Sequence, residues 1–487
     1  MPDGVQFPLV DGRRSTQRTG RDIVASAAAA VDPGLAAQIR DEPSWRTAYP
    51  RHLRDLTETG ATSPDAGLAI ARAGLARLHS TFTHHDGHDV ATAADAVRAT
   101  PADRLRTRVV EGTGRPPEHL SVPYRGRELA GDDLLAAADD WVARGIVEPA
   151  LRTALRDIVD HPEWLQLKGR SFGLLGAGAE MAPTEHLLRW GADVAAVDIP
   201  RDDVWRRLEA MATAGSGTLH APAVDGATVP GADLTTDAPR VRAWLADLDH
   251  PLVLGNYAYA DGETFARLSV AADAIMAALR DADHTHGVAC LATPTDVFAV
   301  PIEVVVAARA RARRLPARTL APLVRTATLG RLLVPNHRTT MRTDDGVELG
   351  IADSLVLQQG PNYALAKRLQ RWRALVTHAD GAFGAVHVAP PTRTRSVMKN
   401  RVLAAAYEGA SLFGVEIFAP GTSRALMAAL LVHALQNHRH AGPPATPRPE
   451  HELTAPAAHG GLWHVTWETR TAFPLAIARG ARALLPR

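Results

Sequence analysis

The sequence predicts an α/β protein: a doubly wound parallel sheet preceded by a mainly helical N-terminal domain. Three observations carry that prediction. Ser171–Pro200 reads as an apolar run, a glycine turn, a helical pattern and a second apolar run, the succession of a parallel βαβ unit. From there to about residue 300, short apolar runs go on alternating with helical patterns. Before residue 160, apolar residues instead recur three and four apart, the period of a helix buried on one face.

A chain of 487 residues suits two domains. They are placed at 1–165 and 166–487, the second carrying an insertion at about 297–350. Residues 1–20 show no periodicity and read as a loose arm. Helices are expected over Ile23–Ala30, Pro64–Leu78, Ala91–Val97, Asp132–Val147 and Glu148–Val159. Ser63 before Pro64 is a strong start, a capping hydroxyl followed by proline at the first helical position. Asp132 and Asp133 suit the positive end of a helix dipole. Thr83–Asp89, THHDGHD, has no tight ligand spacing and no cysteine partner. It reads as a solvated loop, and no metal is assigned.

In the second domain, Phe172–Leu175 and Val194–Val197 are the first two strands, joined by a helix over Thr184–Trp190 that Gly191 stops. Ala232–Leu234 reads as the third strand, Pro251–Leu254 as the fourth and Gly287–Ala292 as the fifth. Helices follow the third strand from about Asp237 and the fourth over Glu263–Leu279. In the insertion, Arg309, Arg311, Arg313 and Arg314 read as a solvated helical face. Leu329–Asp345 reads as loop or hairpin, with Asp345-Gly346 as a turn. Beyond it, helices are expected at 402–410, 422–436 and 475–485, a proline-rich loop at 441–456 and a last strand at 459–467. The alanine-bearing closing helix is a candidate contact for a homo-oligomer.

Composition narrows the function. Lys+Arg 54 against Asp+Glu 53 leaves a formal charge of +1, which argues against a nucleic-acid or membrane partner held by bulk charge. One cysteine, Cys290, excludes an internal disulfide and a cysteine-based zinc cluster. It lies in an apolar run and reads as a buried strand residue. No apolar stretch is long enough to cross a membrane and no leader pattern opens the chain, so a reducing cytoplasm is the expected location.

The glycine turn is the first chemical signal. Gly176, Ala177 and Gly178 let a backbone approach a pyrophosphate, and the following helix offers free N–H groups. Asp198 closes the second strand about 20 residues beyond Gly178, where a carboxylate accepts ribose hydroxyls. Met181 or Ala182 occupies the place of a third glycine. The same unit would also suit an S-adenosylmethionine-dependent methyltransferase, or a nucleotide-sensing scaffold without catalysis.

The second signal is Gly360–Lys367, GPNYALAK. Pro361 favours a helix start, which puts Tyr363 and Lys367 at i and i+4 on one face. A phenol is too weak an acid for proton transfer at neutral pH. A nearby ammonium favours the phenolate, and such a pair can exchange a proton with a carbonyl or alcohol oxygen.

Taken together, the order of these pieces resembles the short-chain dehydrogenase/reductase family. Gly176–Gly178 precedes the acidic strand end Asp198; Asp233-Leu234 stands where that family contacts adenine; Gly255-Asn256-Tyr257-Ala258 stands where it has an Asn-Asn-Ala-Gly turn. Gly384–Thr394, GAVHVAPPTRT, looks like its strand, proline and threonine segment beside the nicotinamide. The resemblance covers about 172–300 and 350–487. It implies a Rossmann-like fold and hydride transfer between a nicotinamide and a ketone or secondary alcohol. Tyr363 would be the general acid/base and Lys367 would bind the ribose and tune Tyr363. Ser354 is the first choice for the hydroxyl that holds the substrate oxygen, with Thr293 or Thr295 as alternatives. Asn256, Pro390, Thr392 and Thr394 would border the cofactor. Asp198 would repel a 2′-phosphate and favours NAD; Arg201 swinging over the adenosine would favour NADP. The substrate is a small carbonyl compound or alcohol, or a large or carrier-tethered one. The family's helix asparagine has no counterpart on 263–279, and the insertion separates Thr293 from Tyr363.

Overall fold

Six parallel strands run through the middle of the molecule, and a seventh closes one edge in the opposite direction. The computed structural model describes residues 3–87, 90–313, 317–441 and 454–483. The strands of the central sheet are β1 (Arg106–Glu111), β2 (Ser171–Leu175), β3 (Asp193–Val197), β4 (Thr218–Ala223), β5 (Leu252–Asn256), β6 (Thr285–Ala292) and β7 (Phe383–Val388). Their spatial order is β7-β6-β5-β2-β3-β4-β1. All neighbours are parallel except β1 and β4. The connections run outward in both directions from the β2–β5 pair. That reversal opens a crevice at the carboxyl ends of the strands.

Alternate strand residues feed two separate cores, as a pleated sheet covered on both faces requires. Phe172, Leu174, Val194, Ala196 and Leu219 pack with the helices Gly131–Ala143, Pro149–Asp160, Asp202–Ala214 and Pro420–Ala441. Leu175, Val197, Leu254, Val288 and Cys290 pack on the other side with Ala238–Ala246, Glu263–Asp281 and Pro361–Ala379. Cys290 is buried there in its strand, as expected.

The segment 1–165 joins both layers. Its helices Thr16–Ala29, Trp45–Gly60 and Pro64–Thr81 share the second core, against Pro361–Ala379. Gly74 lies at one such crossing: a Cβ there would lie 2.3 Å from Trp372 Cζ3. The same segment supplies β1, whose alternating charged residues stay exposed along the sheet edge. The arm is not loose throughout. Gly4–Gln6 pairs antiparallel with Thr83–His85, which pairs with Val90–Thr92. His84 and His85 are therefore buried strand residues rather than loop, while residues 88–89 lie outside the described residues.

Three strand assignments change. The third parallel strand is β4, not Ala232–Leu234. Asp233 folds that stretch into a turn by accepting the Thr235 N–H and hydroxyl at 2.8 and 2.7 Å, the local bonding that draws Asp and Thr out of strands. The expected strand at 459–467 is a turn and a 3₁₀ segment, Leu462–His464. Gly460 and Gly461 there have φ of +65° and +95°, which breaks an extended run. In the insertion, Val297–Pro301, Thr340–Arg342 and Glu348–Asp353 form their own antiparallel sheet, with the expected turn at Asp345-Gly346. Arg309 and Arg313 are exposed, as expected of a solvated face, and Arg309 and Arg311 also donate to the carbonyls of His337 and Arg144, tying segments together. Arg314 and residues 442–453 of the proline-rich loop lie outside the described residues.

Candidate active site

The segments that leave β2, β5, β6 and β7 meet around one cleft of about 1310 Å³. Its floor is the carboxyl edge of the sheet. Its walls are the start of Pro361–Ala379, the segment after β7 and the C-terminal helices.

The glycine turn is built as the sequence suggests and used differently. Gly176 has φ of +86°, and a Cβ on it would lie 2.4 Å from the Ala258 backbone. Only glycine lets the turn pass this close to the segment after β5. Gly176 and Ala177 both donate their N–H groups to the Val197 carbonyl, at 2.8 and 3.1 Å. Gly178 donates to Asp198 Oδ2 at 2.7 Å, and Ile199 to Oδ1 at 2.9 Å. Burial raises the pKa of Asp198, and these two backbone bonds oppose the shift. Asp198 thus fastens the turn, and it is not among the side chains lining the cleft. The backbone from Gly178 to Met181 does line it, beside Arg201 and Arg207. Arg201 pairs with Asp203, and Arg207 donates to the Gly178 carbonyl. The helix after the turn begins only at Thr184, behind Pro183, and has six residues. Asp233 and Leu234 are also away from the cleft. The N-terminal arm covers them, with the Val5 N–H 2.6 Å from the Thr235 carbonyl.

Asn256 ends β5 and faces the cleft. Its side chain is buried, and among the described residues its Oδ1 meets no donor. A buried amide oxygen without a donor costs free energy, so a donor from a bound molecule would be welcome there. Pro390, Thr392 and Thr394 line the opposite side. The Thr392 hydroxyl is tied to the Pro390 carbonyl and Ser423 hydroxyl, at 2.8 and 2.6 Å. Thr394 stands before the helix Arg395–Lys399.

Tyr363 and Lys367 both line the cleft, one turn apart on Pro361–Ala379. The helix starts at Pro361 as the sequence predicts, after Gly360 at φ +78°. Lys367 Nζ donates to the Leu291 carbonyl at 2.9 Å and to Gln370 Oε1 at 3.1 Å, which leaves one of its three N–H groups. Burial brings its pKa down to about 8, against the pull of Cys290 and Asp296. Burial pushes the Tyr363 phenol up to about 12, and the Thr293 hydroxyl offsets only part of that. The expected lowering of the phenol by Lys367 is absent here, because the ammonium is turned toward β6.

The hydroxyl beside Tyr363 belongs to Thr293, one of the alternatives, and not to Ser354. Ser354 is fully buried at the end of the insertion's sheet, with its N–H on the Asp296 carbonyl and its hydroxyl without a partner among the described residues. Thr293 leaves the carboxyl end of β6 and so reaches the cleft. It lies 2.8 Å from the Thr295 hydroxyl, which lies 2.5 Å from Gln359 Nε2. Sequence reasoning missed Gln359 and Tyr407. The first precedes the Tyr363 helix without any motif. The second comes from Arg401–Gly409, where its helical spacing gives no sign that it lines the same cleft as Tyr363.

No family model, curated protein or solved structure matches the chain. Among the described residues no helix is long and apolar enough to cross a membrane.

Proposed function

We propose that this protein is an NAD(P)-dependent oxidoreductase of the short-chain dehydrogenase/reductase type, with a Rossmann-like sheet, acting on a ketone or secondary alcohol. The observation that carries this reading is the meeting of Tyr363 with Thr293 in the cleft that Gly178, Asn256 and Lys367 also line. The strand order supports it: dinucleotide-binding sheets are wound outward from the same switch point.

The residues present fit a nicotinamide dinucleotide. The close-packed glycine turn leaves room beside Gly178, Asn256 offers a buried oxygen without a donor, and Lys367 keeps one N–H for a ribose hydroxyl. When bound, the nicotinamide supplies the hydride. NAD is the proposed form, and the arginines carry the choice, since Asp198 is turned to the backbone and away from the cleft. Arg201 and Arg207 are engaged by Asp203 and the Gly178 carbonyl, so NADP would require them to rearrange.

With its pKa near about 12, the phenol of Tyr363 holds its proton at neutral pH and suits the role of acid. It donates that proton to a carbonyl oxygen as the alcohol forms. Thr293 steadies the phenol oxygen before and after transfer, and the Lys367 ammonium holds the ribose side of the site. At neutral pH the phenol is therefore in the form that the reduction step needs.

Nucleotide-dependent melting tests the reading. NAD(H) or NADP(H) at millimolar concentration should raise the melting temperature, and S-adenosylmethionine should not. Tyr363→Phe should abolish turnover of a ketone panel and leave dinucleotide affinity within about twofold. If neither dinucleotide moves the melt, the assignment falls.

A further inference from the structure

Beyond Tyr363 the cleft continues into an arm of a different character. The helix Arg401–Gly409 turns Leu403, Ala406 and Tyr407 into it, and Ala410 follows at the same helical spacing. Across from them stand Phe473 and Ala476 of the helix Thr469–Ala483. From Leu403 to Ala476 no lining side chain is charged, and only Tyr407 and Thr469 carry a hydroxyl. Elsewhere the lining includes Arg46, Arg201, Arg207 and Asp261. One cavity thus has a charged part and an apolar part, and Tyr363 lines it as well.

The two helices form one closely packed wall of the arm. A Cβ on Gly409 would lie 1.9 Å from the Ala476 carbonyl oxygen, and one on Gly480 would lie 1.8 Å from that of Ala405. The two helices touch backbone to backbone and cannot approach further. The apolar arm therefore lies beside this helix pair, along the faces that carry Leu403, Tyr407 and Phe473. Tyr407 lines the same cleft as Tyr363, and burial, with a smaller contribution from Tyr363, raises the pKa of its phenol.

From this geometry we infer that the substrate is a carbonyl compound carrying an extended hydrocarbon chain, with the chain seated in the apolar part of the cleft, against the paired helices Arg401–Gly409 and Thr469–Ala483. The inference rests on the oxidoreductase reading for the carbonyl, but the chain's seat stands on the cavity alone. At 1310 Å³ the cleft exceeds the usual range of about 300–1,000 Å³ for a single small ligand, which suits a dinucleotide and a long second molecule together.

The test uses the full chain and the methyl ketones from butanone to decanone. Binding is read by calorimetry with and without NADH, and turnover by NADH absorbance. Dissociation constants should fall about fourfold for each added methylene, the gain expected when apolar surface leaves water, until the arm is full. Ala476→Phe and, separately, Leu403→Trp should end that gain at a shorter chain, with NADH affinity retained as proof of folding. Affinity that does not change with chain length overturns the proposal. So does an unchanged length profile in both folded variants. Length-dependent binding without any NADH oxidation would keep the arm and sink the redox reading instead, whereas NADH oxidation with no length dependence would do the reverse.

Discussion

Gln359 presents its side-chain nitrogen, not its oxygen, to Thr295. The amide oxygen accepts the Val356 N–H at 3.4 Å, and the nitrogen stands 2.5 Å from Thr295 Oγ1. An amide nitrogen only donates. Thr295 Oγ1 is therefore an acceptor toward Gln359, and its own proton is free to go to Thr293, 2.8 Å away. Thr293 is thereby free to turn its own proton toward Tyr363, whose phenol pKa it lowers. With Thr293 as the donor, the Tyr363 proton is left to a substrate.

Replacing Gln359 by Leu removes the group that fixes this direction. Ketone reduction should lose about threefold to tenfold in kcat, the worth of one hydrogen bond, with KM for NADH unchanged. Thr293→Val should cost more, since it also strips the phenol of its partner. A stopped-flow comparison of the two variants checks the order. Equal losses would mean that the amide does not act through Thr293.

The pH dependence should separate Tyr363 from Lys367. Tyr363 must keep its proton to act as an acid, and burial puts its pKa near about 12. The kcat for reduction should stay level from neutral to mildly alkaline pH. Lys367 loses its charge near about 8. Above that pH the ribose side of the site loses its cation, and KM for NADH should rise. Lys367→Met should remove the break in KM and leave kcat level over the same range.

Much of this site could be read from residue order, and the misses have local physical reasons. The β2-turn-β3 unit was legible because apolar runs and glycines fall together at Phe172–Gly178 and Val194–Asp198. The Tyr363 helix was legible because proline at its first turn marks the start. The choice between Ser354 and Thr293 was not. Both follow a strand, but β6 belongs to the parallel sheet, whereas Glu348–Asp353 pairs with Val297–Pro301 in the insertion's own sheet. Ser354 is thereby carried into packing while Thr293 stays at the cleft. β4 escaped notice because TLHAPA mixes His220 and Pro222 into a short strand, and β1 because its exposed charges look like loop. Asp198 was recognised as a strand end, but its capture by the Gly178 N–H depends on how tightly the turn folds back.

Glu148, His459 and His464 form a buried group that could be taken for a metal site. His459 Nε2 is 2.8 Å and His464 Nε2 is 3.2 Å from Glu148 Oε1. The Gly461 N–H, however, donates to His459 Nδ1 at 3.0 Å, so the ring proton must sit on Nε2, where it bonds the carboxylate. A metal would need that proton removed. EDTA should therefore leave the melting temperature unchanged. Acid should not. Burial alone would raise the Glu148 carboxyl, but its histidine bonds hold it near about 2, below its ordinary 4.5. Burial also lowers His459 below its ordinary 6.5. Both folded values lie below the unfolded ones, so the unfolded chain binds more protons and stability falls as pH falls. The loss should begin near 6.5 through His459 and continue below 4.5 through Glu148, where it reaches about 3 kcal/mol for that group alone. Glu148→Leu should flatten the lower part of the pH–melting curve. An unchanged curve would show that the carboxylate carries no linked proton.

Gly74 tests whether the N-terminal helices brace the helix of Tyr363. Pro64–Thr81 crosses Pro361–Ala379 at this residue, with the Trp372 ring where a side chain would stand. Alanine is a better helix former than glycine by about 1 kcal/mol, so an unstrained site would gain from Gly74→Ala. Here the added methyl would press on a buried indole, and overpacking of this kind costs about 1–3 kcal/mol. Urea unfolding should show a net loss for Gly74→Ala and a larger one for Gly74→Val. Trp372→Leu in the Gly74→Ala background should restore part of it, since a smaller side chain makes room for the methyl. Because Trp372 lies nine residues along the helix from Tyr363, the displaced helix should also raise KM for NADH through Lys367. A stabilised Gly74→Ala with unaltered KM would mean that the two helices pack without bearing on the cleft.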